Sequence, residues 1–187
     1  RPREFDEAEV VQKATQLFWS QGYRATSPRD LLAATGLSRS SLYNTFGSKE
    51  GLFRRSMLAY VTGQAAFMRA ELDRREARAG LEWMYEQLIA IGTPVADGGA
   101  GRSCMMCTAA IEADPQDTDL FEAVQAGRTA VTAVFRARLE RAQGEGELPP
   151  GKDPAALAHF LFNTNMGLVV LARAGTPAET LRVIADQ

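Results

Sequence analysis

The residues best suited to chemistry fall in two short stretches: SRSSLYNTFGSKEGLF at residues 38–53 and CMMC at residues 104–107. On a helix, Leu42 and Phe46 of the first stretch share one face. Ser40, Tyr43, Asn44 and Gly47 follow the i, i+3, i+4, i+7 rule on the other, with Arg39 flanking them. An arginine can pair bidentately with guanine O6 and N7, and an asparagine with adenine N6 and N7. Ser41, Tyr43 and Thr45 can donate to phosphates, contacts that position a protein on DNA without specifying a sequence. The face therefore suits base reading; it also suits a solvated helix surface.

The second stretch admits several chemistries. As a zinc half-site it is incomplete, since the chain has no second cysteine pair and a single histidine, His159. No metal and no cofactor are expected. A thioredoxin-like centre lacks the strand that accompanies one. A thiol-based enzyme would need a base and an orienting partner, and none stands at a recognisable spacing. A thiol sensor fits better: Cys104 falls at a predicted helix start, beside Arg102 and after the glycine-rich run 97–101, and both a helix N-terminus and a cation lower a thiol pKa. Cys107, one turn on, could resolve a sulfenic acid only if that turn distorts. Two small buried hydrophobes are the plainer alternative.

Almost every start signal that could position these residues is a helix start. Asp6 and Glu9 read as a capping box with Phe5 and Val10 as its staple, opening a helix to about Ser20 that Gly22 ends. Ser27-Pro28-Arg29-Asp30 opens a second helix, closed at Gly36. Ser38 caps a third, Gly47 ends it, and Ser48 caps a fourth that runs from Lys49 to about Ala77. Further helices are predicted near 81–91, 103–113, 118–143 and 153–174, with a last one from Pro177. Loops fall at 93–101 and 144–152. The fold class is all-α, about nine helices, with an N-terminal head over residues 1–48 and a larger body over 49–187. Thr35-Gly36-Leu37-Ser38 joins helices two and three as a short glycine-containing turn, the pattern of a helix-turn-helix, whose second helix lies in the major groove. The helix starts at Ser27 and at Ser48-Lys49 are further anion sites, with Arg29 close by.

Composition agrees with this division. The chain has 187 residues, enough to bury a real core, and its net charge of −2 argues against a generally basic coat for nucleic acid. Residues 1–58 hold nine Lys/Arg and six Asp/Glu, a net +3, and the remainder twelve and seventeen, a net −5. No secretory leader is visible and no apolar run reads as long enough to span a bilayer, so the chain is expected in the cytoplasm with no membrane partner.

In the body, large soft residues could line an adaptable apolar pocket: Phe67, Trp83, Tyr85, Met105, Phe121 and Met166, with Cys104 and Cys107 beside them. Glu112 inside CMMCTAAIEA, and Asn163 and Asn165 inside HFLFNTNMGLVVLA, are polar exceptions in apolar surroundings: pocket groups, satisfied buried ones or dimer-interface hydrogen bonds. The 153–174 helix is greasy on more than one face, so it must be covered on both sides; it reads as a dimer seam or as a central core helix.

The run from Asp6 through Phe18, Gly22-Tyr23, Thr26-Ser27 and Leu31 to Gly36-Leu37-Ser38, and then Ser41-Leu42-Tyr43-Asn44-Thr45-Phe46-Gly47-Ser48-Lys49-Glu50-Gly51-Leu52, resembles the tetracycline-repressor (TetR) family of bacterial regulators. The resemblance implies a homodimer, a helix-turn-helix head on a double-stranded operator, and a body whose small-molecule effector releases DNA. By position, Tyr43 and Lys49 resemble the family's phosphate contacts, and Arg39, Ser40 and Asn44 its base-facing positions. Thr45 is shorter than the His or Tyr often found at its place. Ser103-Cys104-Met105-Met106 is similar to the Gly-Cys-Leu run of one subgroup, some of whose members respond to electrophiles, with Ser103 in place of the glycine.

Overall fold

The structure, a computed structural model, describes residues 5–92, 104–112 and 118–187. Among these, every regular element is an α-helix: α1 (Glu7–Gln21), α2 (Pro28–Thr35), α3 (Arg39–Phe46), α4 (Lys49–Asp73), α5 (Ala77–Gly92), α6 (Met105–Glu112), α7 (Thr118–Gly144), α8 (Pro154–Arg173) and α9 (Ala178–Ala185). They gather into two compact units, one of Arg1–Thr62 with Cys104–Gly127 and one of Gly63–Ser103 with Arg128–Gln187. The loop expected at 93–101, with Arg102 and Ser103, lies outside the described residues.

Local capping builds the first unit. The Ser27 hydroxyl accepts the Asp30 amide at 3.2 Å, and the Asp30 carboxylate accepts the Ser27 amide at 2.9 Å, a reciprocal box with Pro28 in the first turn. Such a cap is worth about 1 kcal/mol. The box expected at Asp6 and Glu9 does not form. Asp6 accepts the Ala8 amide at 2.8 Å, while Glu9 pairs with Lys13 at 2.7 Å. A neutral serine welcomes a returning carboxylate, whereas at α1 two carboxylates would meet, and Lys13 one turn on is the better partner. Ser38 caps α3 through the Ser41 amide at 3.1 Å, and Ser48 accepts the Gly51 amide at 3.1 Å. Position 51 must be glycine, because a Cβ there would run into the Phe46 carbonyl oxygen. Behind these helices Phe18 meets the Phe53 ring edge-on at 4.9 Å, Tyr23 meets it at 4.8 Å, and Leu31, Leu42 and Leu52 are fully buried beside them.

The second unit closes on Tyr85, Ile89, Phe135, Leu168 and Leu181. It contains the two helix boundaries furthest from expectation, since the next helix was expected to open near residue 81. α4 stops at Asp73, not near Ala77, and α5 starts at Ala77. The corner is held from a distance: Arg138, 4% exposed, donates to the Arg75 carbonyl at 3.0 Å and to Glu147 at 2.8 Å, and Glu147 accepts the Ala77 amide at 2.6 Å. The backbone groups freed by ending the helix are thus satisfied by residues from α7 and the turn that follows it.

The expectation of no membrane-length apolar run is corrected by α8. Its 20 residues, at a hydropathy of 1.5, are long and apolar enough to cross a membrane by length and composition. Asn163 and Asn165 do not offset the Leu, Val and Phe around them. Ala158, Asn165, Leu168, Val169 and Ala172 are buried within the second unit, while the greater part of the helix is not.

Glu147 supplies a pH test of the corner. Its carboxyl lies below the ordinary 4.5, chiefly because the Ala77 amide bonds the charged form. A lowered native value stabilises the fold fully above the unfolded-state value, and the stabilisation disappears as pH falls through the native one. Glu147→Gln should lower the thermal midpoint at neutral pH, and the gap from wild type should close as pH drops below 4.5. A gap that stays constant in acid would exclude this carboxylate as the source.

Candidate nucleic-acid interface and thiol site

The order of residues along α3 sorts them by depth. Leu42 and Phe46 are buried, Ser41, Tyr43 and Thr45 are half-buried, and Arg39, Ser40 and Asn44 are exposed. The Arg39 guanidinium stands 5.7 Å from the Tyr43 ring. Ser38, Ser40 and Ser41 share hydroxyl bonds of 3.0 and 2.8 Å at the helix start, so Ser41 belongs to the cap as well as to the surface. On α2, Arg29 is exposed and Ser27 is half-buried in its capping box. Lys49 lies with its ammonium 4.3 Å from the Tyr23 ring, where burial lowers its pKa from 10.5. The cluster expected to face DNA is therefore mounted on one unit, with two arginines, a serine and an asparagine open to solvent.

Tyr23 is the hub beside it. Its hydroxyl donates to Glu50 at 2.6 Å. Its amide donates to the Glu112 carboxylate at 2.7 Å, the Arg24 amide reaches the same oxygen at 3.1 Å, and the Arg24 side chain donates to the Glu112 carbonyl at 3.0 Å. Glu112, expected as a pocket group, is spent on the turn between α1 and α2. Gly22, with φ 86°, leaves room for it: a Cβ there would lie 2.5 Å from a Glu112 oxygen.

At the other end of α6, Cys104 is half-buried, and Met105 and Cys107 are buried. The Tyr60 hydroxyl donates to the Cys104 sulfur at 3.7 Å. The Cys104 thiol is pulled from 9.0 down to about 6, chiefly by the hydrogen bond from Cys107; burial opposes this, and the Cys107 and Met106 amides and Tyr60 assist it. Cys107 is pushed up, because it donates that bond and because burial disfavours its charge.

The other expected pocket residues do not form one set. Phe121 belongs to the first unit and is exposed. In the second unit, Phe67 is exposed with its ring 6.1 Å from Trp83, Asn163 is exposed, and Met166 is half-buried. Arg75 covers Trp83 at 4.3 Å. Tyr85 is buried, donates to the Leu161 carbonyl at 3.2 Å, and is raised in pKa by burial. Of these only Tyr85 lines the apolar groove of this unit, about 950 Å³, with Leu81, Leu139, Phe160 and Leu161.

This arrangement can be set beside known proteins. The family described as "Bacterial regulatory proteins, tetR family" matches residues 10–55, and "Tetracyclin repressor-like, C-terminal domain" matches residues 81–186. The chain belongs to the TetR family. Its relatives include the HTH-type transcriptional repressor ComR of Escherichia coli (strain K12), 32% identical over 99% of this chain and 88% of ComR. The HTH-type transcriptional regulator YezE of Bacillus subtilis (strain 168) is 30% identical over 100% of this chain and 95% of YezE. Among solved structures, a cysteine mutant of the TetR family regulator CifR, complexed with a 26 bp double-strand operator DNA, is 32% identical, with a TM-score of 0.83 over 100% of this chain and 96% of that one.

TetR membership makes the chain a transcriptional regulator and sets aside the thiol-enzyme alternative. Sequence reasoning missed the Tyr23 hub, the Tyr60 contact to Cys104 and the Arg55 guanidinium 5.3 Å from the Phe46 ring. Only Glu112 left a signal, as an acid inside an apolar run; the others join residues too far apart in sequence to announce one another.

The thiol pair yields a prediction. The rate of Cys104 alkylation by iodoacetamide should follow a titration midpoint near 6, far below 9.0, with Cys107 slower at every pH and Tyr60→Phe moving the Cys104 midpoint upward. Two thiols titrating together at the ordinary value would contradict the pairing.

Proposed function

We propose that this TetR chain is a cytoplasmic one-component repressor, a homodimer on a near-palindromic double-stranded operator, released by a small apolar or electrophilic effector. The observation that carries the reading is the exposed row Arg39, Ser40 and Asn44 on a helix fixed from behind by Leu42 and Phe46. The CifR complex with operator DNA supports it. Arg39, Ser40 and Asn44 face the bases; Ser41, Tyr43, Thr45, Ser27, Arg29 and Lys49 hold the backbone. Homodimerisation is supported by the large exposed apolar residues Val170 and Leu171 on α8, which lie outside the groove beside Tyr85. Large apolar side chains left exposed on a helix greasy on more than one side are expected to be covered. The low thiol of Cys104 favours an electrophile as effector; the apolar groove beside Tyr85 favours a reversible apolar ligand.

Two measurements check this. Operator affinity, read by anisotropy, should fall steeply with salt. Lys49→Ala should weaken every sequence alike, while Arg39→Ala or Asn44→Ala should each relax one base position by about 1–3 kcal/mol. No preference over bulk competitor DNA in a genome-wide selection would end the regulator reading. In sedimentation the chain should run as a dimer and Leu171→Arg as a monomer, with half-sites about one helical turn, roughly 34–36 Å, apart or somewhat further. A wild-type monomer, with and without DNA, would end the dimer reading.

A further inference from the structure

We infer that Glu112 is a positioning residue of the DNA-binding head: its carboxylate fixes the turn leading into α2 and so ties operator affinity to the placement of α6. The inference rests on the proposed operator binding and extends it to a residue with no expected contact to DNA.

Three observations converge on it. One carboxylate oxygen accepts two consecutive backbone amides, Tyr23 at 2.7 Å and Arg24 at 3.1 Å, and the Arg24 side chain returns a bond to the Glu112 carbonyl at 3.0 Å. The approach is built into the backbone, since Gly22 has φ 86° and any Cβ would lie 2.5 Å from the other oxygen and 3.3 Å from the Thr108 methyl. The turn so held leads into the head: Thr26 donates to the Gly22 carbonyl at 2.6 Å, Ser27 then caps α2, and the Tyr23 hydroxyl reaches Glu50 in the first turn of α4 at 2.6 Å. A shift of Glu112 therefore moves the starts of two helices that flank α3.

Thr108 and Glu112 are four residues apart on α6, and Cys104 stands four before Thr108, bonded backbone to backbone with it at 3.1 Å. The three form one stripe, about 12 Å long at the α-helical rise. Cys104 at its head touches Tyr60 of α4. Whatever displaces α6 at the thiol end acts on the clamp at the other, because a two-turn helix moves as one body.

The test uses full-length Glu112→Ala, Glu112→Gln and Glu112→Asp. Gln keeps a carbonyl oxygen at the right reach; Asp keeps the charge but falls one methylene short. Ala and Asp should each weaken binding to the selected operator by about tenfold or more, with Gln within about threefold of wild type. Residue-resolved amide exchange should quicken at Tyr23 and Arg24 in Ala and Asp but not in Gln, while the amides of Phe135 and Leu168 stay as in wild type. A structural role alone would quicken those core amides too. Equal operator affinity in all four proteins, or unchanged Tyr23 and Arg24 exchange in Glu112→Ala, overturns the inference. If Glu112→Ala does not fold, the Gln and Asp pair decides: Asp binding as tightly as Gln overturns it. A wild-type chain without operator preference instead overturns the reading beneath it.

Discussion

The Phe53 ring, meeting Phe18 of α1 edge-on and Tyr23 of the following turn from another side, is the contact on which the head depends. α2 and α3 have eight residues each, too few to persist alone in water. Their stability must come from docking, and the docking surface is this aromatic group with Leu31, Leu42 and Leu52 behind it. Each aromatic pair contributes about 0.5–1.5 kcal/mol beyond the area it buries. The polar face of α3 is available because the apolar face is committed here. A helix anchored from one side only can devote the other to hydrogen-bonding groups without cost to its own folding.

Charge is used in two ways, and both units show each of them. Exposed pairs such as Lys13–Glu9 and Arg78–Glu82 lie on helix surfaces and contribute little. Arg138 is buried, and two of its nitrogens have no hydrogen-bond partner, although one stands 3.7 Å from Glu145. Burial of a guanidinium so incompletely satisfied is costly. What it secures is geometry: the chain turns between α4 and α5 because Arg138 and Glu147 take over the backbone groups at that corner. In the first unit Glu112 does the same for the turn between α1 and α2. In both places a long-range side chain substitutes for the next turn of helix.

Local features were legible in the sequence for that reason. Ser27, Ser38 and Ser48 act within a few residues of themselves, and each caps the helix it was expected to cap. The buried and exposed sides of α3 followed from spacing alone. The end of α4 did not, since the residues that stop it lie far along the chain, and a helical pattern through Arg74 and Arg75 carries no mark of them. The supposed pocket set failed to converge for a related reason. Composition identifies soft apolar residues, but whether Phe67 or Phe121 turns inward is decided by tertiary packing, and both are exposed.

The close fit of Gly22 to Glu112 also bears on how such a sequence can drift. Position 22 is barred to side chains twice over, by its positive φ and by the carboxylate lying against it. Shortening the acid at 112 would lift one bar and leave the other, so no single replacement opens the site to a new residue. Glycine is therefore held at position 22 whatever stands at 112, while the acid at 112 needs glycine at 22, so the dependence between these two positions ninety residues apart runs one way.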